Sequence, residues 1–140
     1  PSFATSAAMR FSNAAARGRK GAMGMDRQAC RDAGINYEEG VARFVGNAEM
    51  YERFLGEFVN DGTFAELETA MKAGNVKDAF AAAHTLKGLT GNLSLDALYK
   101  KLVVLTDALR GEGDLALAKT LYPGVEREYR AVLAFLSSQK

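Results

Sequence analysis

His84 is the only histidine among the 140 residues of the chain. It stands in the run Ala81-Ala82-Ala83-His84-Thr85-Leu86-Lys87-Gly88-Leu89-Thr90-Gly91. An imidazole is nucleophilic near neutral pH because its unperturbed pKa lies near ~6.5. It can therefore take a phosphoryl group and give it up again. At about 100° per residue, Lys77, Phe80, Lys87, Gly88 and Gly91 fall within roughly 60° of His84 around a helix. Ala79, Ala82, Leu86, Leu89 and Leu93 fall roughly 140° to 220° away. The spacing predicts a helix that buries its leucines and presents the imidazole to water. Lys87, at i+3, shares the face of the ring and can pair with an anion attached to it. Gly88, at i+4, has no side chain to block a second protein. Glycine in a helix interior costs about 1 kcal/mol relative to alanine, and Gly88 and Gly91 together point to a demand for close approach. Gly91 also suits a helix-terminating position.

The run His84-Thr85-Leu86-Lys87-Gly88 with Gly91 resembles the signature of histidine-containing phosphotransfer (HPt) domains, His-x-Leu-Lys-Gly followed by a small, often glycine-bearing stretch. Gly74-Asn75-Val76 is similar to that family's turn into its phosphorylated helix. The segments from about residue 35 to residue 136 match its succession of helices in length and order. The resemblance implies that the histidine carries a phosphoryl group between receiver-domain aspartates, that the lysine steadies the phosphate, and that the glycine clears the docking face. By position these roles fall on His84, Lys87 and Gly88. The magnesium ion of such a transfer is expected on the receiver partner, so no metal and no cofactor is expected on this chain. The implied setting is two-component signalling in a bacterial cytoplasm, with a monomeric carrier whose partners are receiver domains of response regulators or hybrid histidine kinases.

Composition narrows the alternatives. The length suits one domain, and 48% hydrophobic residues are ordinary for a globule. No apolar run approaches the roughly 20 residues that span a bilayer, so no membrane role is expected. With one His and one Cys (Cys30), an intrachain disulfide is excluded and a protein-only zinc site lacks its usual ligands. The net charge of +1 hides an asymmetry. Residues 1–24 carry four basic residues and no acid, and the remainder carries 14 Lys or Arg against 17 Asp or Glu. The basic surplus therefore lies in the leader and gives no support to nucleic-acid binding. The leader is rich in Ala, Ser, Gly and Arg, and Gly21-Ala22-Met23-Gly24 resembles a cloning scar before Met25-Asp26. Residues 1–24 are expected to be a cloning-derived leader, with a transit peptide as the alternative. Residues 25–140 are expected to be the domain.

Five helical stretches follow. A short helix opens near Asn36 and runs from Glu38 to Val45. Asn47 caps the next, whose apolar positions Met50, Tyr51, Phe54, Leu55, Phe58 and Val59 keep helical spacing, and the pattern continues through Phe64, Leu67, Ala70 and Met71 to Gly74. Asn60-Asp61-Gly62-Thr63 interrupts it; one long, locally strained helix is expected, with a break and a new cap as the alternative. Asn75 caps the helix bearing His84, which ends around Gly91 to Leu93. Ser94 is expected to cap Leu95 to Arg110, with Leu98, Leu102, Leu105 and Leu109 on one face. Asp114 opens a last helix to about Leu136, with Leu117, Leu121, Val125, Tyr129 and Val132 among its apolar positions. Pro123 predicts a kink or a restart there. No segment alternates like a strand. Short connections between amphipathic helices predict an all-α, up-down four-helix bundle with a short additional N-terminal helix.

The expected function is that of a phosphoryl carrier in a multistep relay. The sequence offers no phosphate-binding glycine loop and no serine–histidine–acid arrangement, so neither autokinase nor hydrolase activity is expected. Phe80 is a candidate docking anchor, unless it tucks against a neighbouring helix. Lys77 is a candidate for steering. The carboxylate that orients the second imidazole nitrogen in some HPt domains has no identifiable counterpart. The competing reading is a helical interaction module of the same fold that no longer carries phosphate.

Overall fold

The computed structural model describes residues 25–139; the leader expected for residues 1–24 lies outside them. The described residues form seven helices and no strand. In order they are α1 (Arg27–Asp32), α2 (Tyr37–Arg43), α3 (Ala48–Phe58), α4 (Thr63–Ala73), α5 (Val76–Asn92), α6 (Asp96–Leu109) and α7 (Leu115–Ser137). Consecutive helices from α4 to α7 are packed neighbours. Short connections fold them up and down, as the amphipathic spacing predicts. The ring closes between α4 and α7, where Phe64 stacks on Tyr129 with centroids 4.0 Å apart and Arg130 of α7 reaches Glu68 of α4. With α3 and α4 forming one side, this is the expected four-helix bundle. It carries two short N-terminal helices, α1 and α2, rather than one.

Local chemistry sets most of the boundaries. The side chains of Asn36, Asn47, Asn75 and Asp114 each accept a hydrogen bond from the backbone N–H three residues on. Each thereby satisfies one of the donors that a helix start leaves open. Gly74 ends α4 at φ 70°, a left-handed conformation that costs glycine little. Its turn lets Asn75 N–H donate to Ala70 O at 2.9 Å, after which Asn75 at once caps α5. The helix bearing His84 therefore starts without slack.

Three expectations are corrected. The stretch from Asn47 to Gly74 is two helices, not one. Asn60 and Asp61 N–H groups turn back to Glu57 O and Phe58 O, and the Asp61 carboxylate accepts from Thr63 N–H at 2.8 Å. These local bonds compete with helical ones and win. Ser94 is not a helix N-cap. It takes a left-handed φ of 55° to end α5, with Leu95 N–H donating to Thr90 O at 2.9 Å, and its hydroxyl accepts from Arg43 Nε at 3.2 Å. Pro123 does not restart α7, which is continuous from Leu115 to Ser137. Pro123 is exposed, so the Lys119 carbonyl that loses its i+4 donor has water as a substitute.

The core is built from the expected apolar faces. Leu98, Leu102, Leu105 and Leu109 of α6 are fully buried, as are Leu55, Leu67, Val125 and Val132. Leu117 stands out of the α7 stripe, 46% exposed, and Ala118 takes the buried place. The small N-terminal helices are pinned by polar contacts. Tyr37 donates to the buried Glu52 carboxylate of α3, and the Arg27 guanidinium lies over the Tyr37 ring at 4.3 Å. Tyr51 crosses from α3 to donate its hydroxyl to Leu93 O at 2.6 Å, which ties this layer to the end of α5.

Burial pushes the Cys30 thiol up to about 12, helped by the Glu52 carboxylate. Burial also pushes the Tyr51 phenol above its usual range. Both groups fold in their neutral forms. Their contribution to stability is complete below the ordinary thiol value of about 9. It is lost as pH rises through the folded value, because the unfolded chain then ionises more readily. The urea midpoint is expected to hold steady to about pH 8 and to fall progressively above about pH 9. Cys30 should stay unreactive towards alkylating reagents until the domain unfolds. Equal midpoints at about pH 8 and pH 10.5 would contradict this.

Candidate functional site

The geometry of α5 follows from its neighbours. Ala79, Ala82, Ala83, Leu86 and Thr90 are its buried residues. On the helical wheel with His84 at zero they occupy an arc from about 160° to 260°. Residues at about 60° to 160° (Ala81, Thr85, Asp78 and Ala82) line a groove against α4. Residues near 300° to 340° (Lys87 and Gly91) line a groove with Tyr99 and Lys100 of α6. His84 sits between the two neighbours and is exposed. Leu86 is fully buried and Leu93 is 7% exposed. Leu89, expected to be buried with them, is only half-buried, because at about 140° it lies on the margin of the core arc.

The remaining site residues differ in their surroundings. Lys87 is half-buried, one turn after His84 on the α6 side. Gly88 is exposed, and a Cβ built on it would meet nothing within 4 Å. Gly91 is half-buried, and its Cβ would come within 3.1 Å of the Tyr99 ring. The missing side chain at Gly91 thus seats an aromatic of α6, whereas the one at Gly88 leaves open surface. Lys77 is exposed, two turns before His84. Phe80 is half-buried and packs against the core rather than standing free. Its ring lies 5.7 Å from the His84 ring.

Two features were beyond the reach of sequence reasoning. The first is Arg110, the residue that closes α6, whose guanidinium carbon lies 5.3 Å from the centre of the Phe80 ring. It stands 26 positions after His84, and no local spacing links the two. The second is the approach of α2. Glu39 and Arg43 join Lys87, Gly88, Asn92 and Asp96 around an open groove of about 520 Å³.

The described residues hold no cluster of three or more metal-ligating side chains. No helix among them is long and apolar enough to cross a membrane. What the arrangement offers is one accessible nucleophilic ring on a rigid helix, a cation one turn away, and level surface at Gly88 over which a large partner can approach. Neither the curated proteins nor the solved structures provide a match to the chain. The family model described as Hpt domain matches residues 49–135, from the first turn of α3 to near the end of α7 and more than half of the chain. All seven residues singled out on α5 lie within that span: Lys77, Phe80, His84, Lys87, Gly88, Leu89 and Gly91. The chain therefore belongs to the Hpt domain family, whose members have a phosphotransfer role in two-component signalling.

Proposed function

We propose that His84 is the phosphoacceptor of a multistep relay, taking a phosphoryl group from the aspartate of one receiver domain and passing it to the aspartate of another. The observation that carries this reading is the exposure of the only histidine on a helix whose opposite face is core, with Lys87 and the open Gly88 on the next turn. A nitrogen lone pair of the imidazole attacks phosphorus in line. The N–P bond forms as the bond to the aspartyl oxygen breaks, and the carboxylate leaves with its electron pair. Delivery to the second receiver is the reverse of this step. Such a transfer asks for positioning and charge stabilisation more than for covalent chemistry by the protein. Lys87 supplies positive charge beside the phosphoryl oxygens, and Gly88 lets the receiver come close. Magnesium belongs to the receiver's carboxylates in this reading. The chain acts as a carrier, not as a kinase.

The experiment is incubation with a receiver domain carrying labelled phosphate. Acid-labile, alkali-stable label on this chain is expected, and its absence would favour a docking module that carries no phosphate. Two substitutions separate chemistry from docking. Lys87→Ala is expected to slow transfer by about tenfold while receiver affinity changes little, because it removes charge stabilisation and small contact area. Gly88→Gln is expected to weaken receiver binding by about tenfold or more, since a long side chain would stand where a Cβ now meets nothing. Titration calorimetry checks the second, and parental affinity in Gly88→Gln would refute the close-approach role.

A further inference from the structure

We propose that Phe80 is a positioning residue for His84: its ring is the wall that holds the imidazole in one rotamer for attack. The proposal deepens the phosphoacceptor reading and rests on it. A histidine on an open helix face is free to turn about χ1 and χ2. Side chains of a helix lean towards its N-terminus, over the residues three and four positions back. For His84 these are Ala81 and Phe80. Ala81 ends at its methyl group and offers no wall. Phe80 brings a ring, whose centre lies 5.7 Å from the centre of the imidazole with the planes 38° apart. That is the spacing of two aromatic rings in contact. The wall is itself fixed. Phe80 is half-buried and packed against the core of the bundle, so its ring keeps its place when the imidazole turns.

The surroundings give this wall a direction. Phe80 stands at about 320° on the wheel, on the α6 side of His84. One turn further along the helix is Gly88, where a Cβ would meet nothing within 4 Å. The imidazole therefore has an aromatic ring behind it and open surface in front of it. A nitrogen on the edge turned away from Phe80 faces the space through which the receiver comes. In-line attack needs the lone pair of that nitrogen aimed at phosphorus, and a ring already held there loses less freedom in the transfer. The size of the gain follows from the rotamers. In a helix χ1 has about two accessible wells, and χ2 of histidine is about two-fold. A freed ring would divide its time among about four placements, so loss of the wall lowers the transfer rate by about fourfold at most.

The test reads both the orientation of the ring and the transfer rate, on the whole chain. Couplings between the Cα and Cβ protons of His84 are expected to report one dominant χ1 in the parent and averaged values in Phe80→Leu. Single-turnover transfer from a labelled receiver is expected to fall about threefold in Phe80→Leu at saturating receiver, with the half-saturating concentration unchanged. Phe80→Tyr, which keeps the ring, should restore both readings. A role in packing alone would lower the urea midpoint and leave the couplings and the saturated rate in place, which overturns the inference. A raised half-saturating concentration with the saturated rate unmoved overturns it too, since Phe80 would then be a docking contact. The parent chain needs no variant: averaged couplings there overturn this inference alone. A parent chain that takes no label on His84 overturns the phosphoacceptor reading and the positioning role with it.

Discussion

Replacing His84 with glutamine is expected to abolish acid-labile phosphorylation while leaving the bundle folded. Glutamine is a good helix former, and position 84 is exposed on the middle of α5. The substitution therefore removes no core contact. It forfeits only the edge of the Phe80 ring, whose contact with the imidazole is a tilted one at 5.7 Å. The amide has no nucleophilic lone pair comparable to imidazole, and no second histidine exists to take the group. The loss should be complete within detection, about 10³-fold or more, because a covalent carrier without its nucleophile has no alternative route. Phosphorylated receiver incubated with the variant should retain its label, while circular dichroism and the urea midpoint match the parent to within about 0.5 kcal/mol. Acid-labile label on the glutamine variant would remove His84 from the reaction.

Gly40→Ala should produce a large loss of stability from adding a single methyl group. Gly40 lies inside α2, buried against α3, and a Cβ there would stand 2.1 Å from Cζ of Tyr51. In a loosely packed place the ring would swing aside. Here Tyr51 is fully buried, its hydroxyl is bonded to Leu93 O at 2.6 Å, and its ring meets both Tyr37 and Phe44 at 5.6 Å. Moving it breaks the bond to the end of α5 or opens the aromatic cluster. Overpacking of this kind costs about 1–3 kcal/mol, and a lost buried hydrogen bond adds about 1 kcal/mol or more. The urea midpoint should fall accordingly with the slope of the transition unchanged. The gain from replacing a helical glycine by alanine, about 1 kcal/mol, is too small to offset this. A variant as stable as the parent would show that α2 is not held against Tyr51.

Transfer by the Gly40→Ala chain, assayed well below its unfolding temperature, should change less than stability does. Its defect lies at Leu93, at the end of α5 and more than two helical turns beyond His84. Between them, the two variants separate what carries the group from what holds the carrier straight.

Much of this was written in the chain order alone. Helical periodicity is a local property. It places Leu86 in the core, His84 in water, and Lys87 and Gly88 beside the ring whatever the neighbours are. The caps at Asn47, Asn75 and Asp114 were legible for the same reason, since each acts on a backbone donor three residues away. Short connections and apolar stripes were enough for the up-down bundle. Tertiary structure decided the rest. Whether residues 59–62 continue a helix turned on a balance between helical bonds and the Asp61 carboxylate, a contest that propensity alone leaves open. Ser94 looked like a cap but serves the end of the preceding helix, where the approach of Arg43 and Asn36 from α2 holds it. The glycines at 88 and 91 look alike in sequence, and only the position of α6 makes one an open surface and the other a seat for Tyr99. Arg110 reaches Phe80 because α5 and α6 run antiparallel, which brings the end of one helix to the early turns of the other. Side-chain type and local spacing determined which nucleophile and which cation share one face of α5; helix packing decided which of the distant charges and rings stand around them, because those distances depend on where the chain returns.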